Sequence, residues 1–449
     1  MFLLLEIFYF KLKSIFLNSI WFFFDKVIKL IIGFIISVII VRYLGPELYG
    51  KYNYVNSIIV LFGVFVPFGS EGILVKFLVS EPNQKNEILS ASFWFQFVFA
   101  FFSLILSLIV LEILRNDSEL LQLLLILGIP LLFRSFSVVK HVYESTLQIK
   151  KVVVIDNIIF FAFSFLRFLF IYFHFSYILI FVSFATEAIF SNFILFCYYR
   201  YTNKSFLSVR PNFNYIRRIL IESFPILISG FAIIVYMKVD QIMIGSILGD
   251  KELGIYSVGV RLSEFWYFIP IGISSSFFPH LIELKNEGSV HYKKRFALLH
   301  SIVFWMALFG AILTQFVADD LILQIYGSDF LESSSVLKIH IWSSLFVFLG
   351  VAGSNFLILE NLQNLTVLKS FFGLIVNILL NYLWIPDYGI IGAAMATLIS
   401  QFCANTLFLI FFKSLHPLFS FQIGSLTNIR LLNFRDFFKK QLSIYNSND

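Results

Sequence analysis

The stretch LGPELYGKY, residues 44–52, returns 204 residues later as LGDKELGIY, residues 248–256. Without a gap, Leu44, Gly45, Gly50 and Tyr52 align with Leu248, Gly249, Gly254 and Tyr256. Each copy closes one long apolar segment and opens another. Nearly half of the 449 residues separate the copies, which is the spacing of an internal duplication. A weaker echo supports it: Tyr177 and the pair Ala185-Thr186 recur 211 residues on as Tyr388 and Ala396-Thr397.

The segments around these turns are apolar enough to cross a membrane. The chain is 59% hydrophobic and 13% charged, with a mean hydropathy of +0.88. A soluble domain carries about 25% charged residues. A spanning helix needs about 20 apolar residues. Twelve such spans are expected, at 15–41, 52–68, 88–111, 120–136, 152–173, 177–199, 219–248, 255–282, 296–318, 336–359, 366–385 and 390–412. The expected organisation is a six-helix lobe over 1–199, a basic cytosolic linker over 200–218 and a second six-helix lobe over 219–413. A basic amphipathic tail over 414–449 completes it. The 60 phenylalanines read as lipid-facing filler.

Loop charge orients the spans. Lysine and arginine crowd the termini and every second loop, as at Arg134, Lys140, Lys150, Lys151, Arg217 and Arg218. The opposite side holds only Arg42, Lys51, Arg115 and Lys251. Basic loops face the cytosol, so both termini are expected there. Six spans separate the two LG turns, so both turns lie outside and the halves are parallel repeats about an axis along the membrane normal. Residues 426–445 mix apolar and basic side chains and are expected to lie on the inner leaflet. The net charge of +6 is thus spent on lipid, and no nucleic acid partner is expected. The apolar N-terminus lacks a basic leader and a small-residue cleavage site, so no signal peptide is expected.

Several chemistries lack their motifs. There is no GxxxxGK[ST], no HExxH and no CxxC, so no nucleotide, metal or other cofactor is expected, and no enzyme. Cys197 and Cys403 both fall in apolar segments, which implies no disulfide framework. His174 and His340 are expected at the outer interface, and Gly350 and Gly353 in helix packing.

Charges remain inside the spans: Asp25, Lys26, Lys29, Glu71, Asp156, Arg167, Glu187, Lys238, Asp240, Arg261, Glu264 and Glu360. A charge at the bilayer centre costs about 2.5–3.5 kcal/mol on insertion scales, so it should face protein or a wet cavity. Asp25 and Lys29 are spaced i,i+4 and Arg261 and Glu264 i,i+3, so each pair shares a helix face. At a helical rise of about 1.5 Å per residue, Lys29 lies about 24 Å below Gly45. Lys238 and Asp240 lie about 16 and 13 Å below Gly249 on the same rise. The expected substrate-binding cations are Lys29, Lys238 and Arg261. Asp25, Asp240 and Glu264 are expected to serve ion coupling or charge pairing. The alternative is that these are ion pairs that hold helices together.

Three stretches carry a family likeness. They are NSIWFFFDKVIKLIIGFIISVIIVRYLGPELYGKYNYVNSI (18–58), VDQIMIGSILGDKELGIYSVGVRLSE (239–264) and IPDYGIIGAAMATLISQ (385–401). Together they resemble the polysaccharide flippases of the multidrug/oligosaccharidyl-lipid/polysaccharide exporter superfamily, most closely the O-antigen type. The resemblance implies an all-α integral membrane protein with about 12 transmembrane helices. These would form two parallel six-helix lobes around a central cleft, an inverted-V transporter. It implies movement of undecaprenyl-pyrophosphate-linked oligosaccharide across the bacterial cytoplasmic membrane by alternating access, within O-antigen or lipopolysaccharide synthesis. It also implies membrane lipids and a polysaccharide polymerase as partners. An ion-coupled multidrug antiporter of the same fold is the alternative reading, and a non-transporting assembly scaffold a third.

Overall fold

A computed structural model describes residues 2–202, 210–288 and 291–427, with side chains from Lys29 onward. Among the described residues the chain is helical throughout, without strands. The helices are α1 (Phe2–Gly63), α2 (Glu71–Ser80), α3 (Lys85–Leu114), α4 (Ser118–Gly128), α5 (Pro130–Arg134), α6 (Lys140–Ser145), α7 (Ile149–Tyr172) and α8 (Tyr177–Thr202). They continue as α9 (Phe213–Ile247), α10 (Asp250–Glu264), α11 (Phe268–Asn286), α12 (His291–Tyr326), α13 (Ser333–His340), α14 (Ser343–Leu359), α15 (Gln363–Asn405) and α16 (His416–Thr427).

Nine helical stretches among the described residues are long and apolar enough to cross a membrane, or ten if α13 and α14, bent by 42°, form one span. This is a multi-pass membrane protein. Twelve spans were expected, and the difference has a local cause. The first and second expected spans run together as α1, the eleventh and twelfth as α15. Each is broken inside by a glycine, Gly45 at φ 69° and Gly389 at φ 58°. Only glycine enters that region without a Cβ penalty. Pro46 follows Gly45 and restarts the helix at a position where its missing N–H costs nothing. In the second copy Gly249, at φ 98°, separates α9 from α10.

Packing divides the chain into two compact units, Met1–Gly254 and Ile255–Asp449. In the first unit the two copies of the repeated stretch touch. A Cβ on Gly50 would stand 1.7 Å from the Asp250 carbonyl oxygen, and one on Gly254 1.9 Å from that of Pro46. Backbone therefore lies directly on backbone, a contact that only glycine permits. Below the crossing, fully buried Tyr54 lies on Gly245, where a Cβ would meet its ring at 2.3 Å. Its hydroxyl is 2.9 Å from Ser246 Oγ, and Ser57 donates to Gln241 at 2.7 Å. These contacts join α1 to α9. At its other end the unit buries Phe77, Ile88, Leu89, Val138, Val139, Tyr199 and Ile219 in one core.

The second unit packs α11, α12, α14 and α16 around Phe296, Phe348, Phe356 and Phe421. Gly350 and Gly353 serve helix packing, as expected. Asn405 leans on Gly350 so closely that a Cβ there would lie 2.2 Å from its Oδ1. His340 departs from the expectation. It is buried, 2.9 Å from Ser263 Oγ, because α13 packs inward at its bend with α14. Phe309 and Phe316 point outward, 69% and 79% exposed, as lipid-facing side chains do.

Candidate functional site

The first unit concentrates charge inside the bilayer. Arg167 on α7 is 3% exposed. It forms an ion pair with Glu187 on α8 and donates to Ser183 Oγ at 3.0 Å and to its carbonyl at 3.3 Å. Its guanidinium stacks 3.9 Å from the centre of the Phe184 ring. One turn along α8, Ser191 donates to Asp156 on α7 at 2.6 Å. Glu187 feels the charges of both Lys29 and Asp156. Glu187 thus sits among charged groups of α1 and α7, with Arg167 as its direct partner.

A cavity of about 390 Å³ opens beside this cluster, lined by α2, α5, α6, α7 and α8. Asp156, Ser191 and Asn192 lie along it. Glu71, Arg134, Lys140, His141 and Glu144 also line it. Arg134 donates to the Gly63 carbonyl at 3.3 Å and lies 3.7 Å from Glu71. His141 Nδ1 is 2.8 Å from Glu144.

A polar chain on α1 and α9 lies apart from the cavity. Lys238 donates to Gln241 Oε1 at 3.4 Å, the same oxygen that accepts from Ser57 at 2.7 Å. Asp240 is 5% exposed, and its Oδ1 accepts from the Gln241 backbone N–H at 2.7 Å. At the repeated turn, Arg115 grips Asp250 with two bonds of 2.5 and 3.0 Å and donates to the Gly245 carbonyl at 3.1 Å. The bidentate bond to Asp250 raises the Arg115 pKa above its ordinary value, so it stays cationic.

The expected site residues are thus dispersed. Lys29 belongs to the α7–α8 charge cluster, Lys238 and Asp240 to the α9 polar chain, and half-buried Arg261 and Glu264 to the last turn of α10 in the second unit. Asp25 lies outside the described residues. The sequence marks Asp156, Arg167 and Glu187 as membrane charges without assigning them a role. Their i,i+4 offsets, Glu187 to Ser191 and Ser183 to Glu187, were a readable signal. The second unit adds Lys369, which donates to Asn405 Oδ1 at 3.0 Å, and an Asn377–Asn381 pair at 2.9 Å.

The sequence model for the polysaccharide biosynthesis protein family matches residues 15–285, more than half of the chain. The chain belongs to this family. The family member also matches the MatE model over residues 225–383. It is 24% identical over 400 residues to the capsular polysaccharide biosynthesis protein CapF of Staphylococcus aureus, covering 88% of this chain and 98% of CapF. It is 31% identical over 172 residues to the probable flippase AglR of Haloferax volcanii, covering 37% of this chain and 36% of AglR. Among solved structures it resembles the lipid II flippase MurJ in an inward closed conformation, with a TM-score of 0.71, 17% identity and 92% and 91% of the two chains covered. An inward-facing multidrug resistance MATE family transporter of the MOP superfamily gives 0.68 at 13% identity, covering 88% and 95%. The family member has the fold of that superfamily and is a membrane transporter rather than an enzyme.

Proposed function

We propose that the protein is a flippase for a lipid-linked oligosaccharide, carrying an undecaprenyl-pyrophosphate-linked repeat unit across the bacterial cytoplasmic membrane. Family membership over residues 15–285 is the observation that carries this reading. The CapF match along nearly the whole chain supports it. On this reading the breaks at Gly45 and Gly389 divide α1 and α15, giving twelve transmembrane segments in two six-segment halves, 1–199 and 219–413, with both termini cytosolic. Membrane lipids surround it and a polysaccharide polymerase is its partner protein.

The physical task is to move a pyrophosphate through a low-dielectric layer. Fixed cations replace the water that the phosphates lose. We assign that role to Lys29 and Lys238 in the first unit and to Arg261 in the second, with Asp25, Asp240 and Glu264 in ion coupling or charge pairing. Moving one negative charge outward gains about 2.3 kcal/mol per 100 mV of inside-negative potential. Interior groups of both signs favour this substrate over a cationic drug, whose site would need acids alone.

The test is deletion of the gene followed by a leaflet-resolved assay of lipid-linked oligosaccharide. Accumulation in the inner leaflet is expected. Normal delivery to the outer leaflet, in a strain without a redundant carrier, would sink the reading. Lys29→Ala, Lys238→Ala and Arg261→Ala at matched expression test the assignment separately. Full transport by all three would remove it and leave the flippase reading standing.

A further inference from the structure

We propose that the cavity in the first unit is a saccharide subsite, which holds sugar hydroxyls of the oligosaccharide at the cytosolic mouth and contributes to selection among glycans. This rests on the flippase reading and adds a substrate-recognition site to it.

The lining alternates hydrogen-bond acceptors with donors. Glu71, Glu144 and Asp156 supply carboxylate oxygens, while Arg134, Lys140 and Asn192 supply N–H groups. A hydroxyl both donates and accepts, so a ligand dense in hydroxyls needs both kinds of partner side by side. A phosphate site would need donors in excess. Here three carboxylates face two permanent cations, which disfavours a lone anion. A metal or organic cation would have to displace Arg134 and Lys140.

Asp156, Glu144 and Arg134 are also held in place with capacity to spare. Asp156 commits Oδ1 to Ser191, and Glu144 commits Oε2 to His141. Among the described residues neither second oxygen has a hydrogen-bond partner. Arg134 spends one N–H on the Gly63 carbonyl, and the Lys140 ammonium makes no hydrogen bond among the described residues, so its donors are open. Side chains fixed by one bond and open at another are preorganised, so little entropy is lost when a ligand binds. The volume of about 390 Å³ falls in the range of small-molecule pockets, roughly 300–1,000 Å³. The lining contains no Phe, Tyr or Trp on which a sugar ring could stack, so recognition runs through hydrogen bonds.

The structure supplies a clean way to fill the site. Gly72 lines the cavity, and a Cβ built there meets nothing within 4 Å. Gly72→Leu therefore adds bulk at the lining without a clash at its Cβ. The experiment compares wild type, Gly72→Leu and Lys140→Gln in nanodiscs, with folding checked by thermal melting. Binding is measured for three probes: oligosaccharide released by mild acid from the host's lipid-linked fraction, the intact lipid-linked form, and inorganic pyrophosphate. Gly72→Leu is expected to weaken the free oligosaccharide at least tenfold, Lys140→Gln severalfold, and to leave pyrophosphate within twofold. The intact form should lose less than the free glycan, because its phosphates and tail still bind. Unchanged oligosaccharide binding in both variants overturns the proposal, and so does selective loss of pyrophosphate, which would mark an anion site. The leaflet assay separates the two readings. Wild-type protein that moves no lipid-linked oligosaccharide defeats the flippase reading. Wild type and Gly72→Leu that move the same glycans with the same preference defeat the subsite alone.

Discussion

Gly50 and Gly254 lie against each other with no side chain between them. A Cβ on Gly254 would come within 3.1 Å of the Gly50 nitrogen, and one on Gly50 within 3.0 Å of the Gly254 nitrogen. They hold equivalent places in the two copies of the repeated stretch. Each helix in this crossing needs the other's missing side chain.

Alanine at either position has to push backbone apart, since the obstructing atoms are carbonyls rather than flexible side-chain ends. Overpacking of this kind costs about 1–3 kcal/mol, and backbone obstruction belongs at or above the top of that range. Gly50→Ala and Gly254→Ala should each lower the melting temperature in nanodiscs sharply. Gly72→Ala, which meets open space, should be neutral or slightly stabilising. Equal melting temperatures for all three would refute the close crossing.

Arg115 and Asp250 should couple strongly in a double-mutant cycle. Their side chains are 21% and 9% exposed and joined by two bonds. Coupling of about 0.5–3 kcal/mol is expected between contacting residues, here toward the upper end. Lys51 and Glu119, whose carboxylate is 46% exposed, should couple by about 0–1 kcal/mol although they are only 2.6 Å apart. A larger coupling for the Lys51–Glu119 pair would contradict the structure.

Arg167→Ala should be among the most damaging single changes in the first unit, because it strands Glu187 in a low-dielectric site. Breaking a buried pair costs about 3–5 kcal/mol. Removing both partners leaves no stranded charge, so the Arg167→Ala, Glu187→Ala double variant should insert and fold better than Arg167→Ala alone. The readout is the yield of monodisperse protein after purification. A double variant worse than the single would show that the two groups are not partners.

Glu81 gives a pH dependence outside the spans. The Tyr215 hydroxyl, 2.5 Å away, and then Arg218 lower its pKa from the ordinary 4.5. A carboxylate with a depressed folded pKa stabilises fully above its unfolded value and loses that contribution as the pH falls through the folded one. Wild type should therefore lose stability on acidification below about pH 4.5, and Glu81→Gln should lose less over the same interval. Parallel melting curves for the two between pH 5 and 3 would exclude this contact as a source of acid sensitivity.

Much of the architecture could be read directly. Hydrophobic run length marked the long apolar helices, and the glycines of the repeat marked breaks in them, because both are local properties. The candidate site was only half legible. Asp156, Arg167 and Glu187 were visible as charges that cannot face lipid. Their grouping was not, because it depends on which faces of α7 and α8 meet. The cavity draws on five helices between residues 71 and 195, and no sequence spacing encodes it.

The sequence by itself determined that this is a helical membrane protein and which charges must be sheltered. Those follow from the cost of exposing polar groups to hydrocarbon, which acts on each residue where it stands. Only the tertiary structure decided that Gly50 meets Gly254, that Arg167 takes Glu187 as its partner, and that a polar cavity opens toward Asp156. Those depend on how helices far apart in the chain are packed, and a hydrophobicity pattern leaves that packing undetermined. The repeated stretch is also the place where its two copies touch.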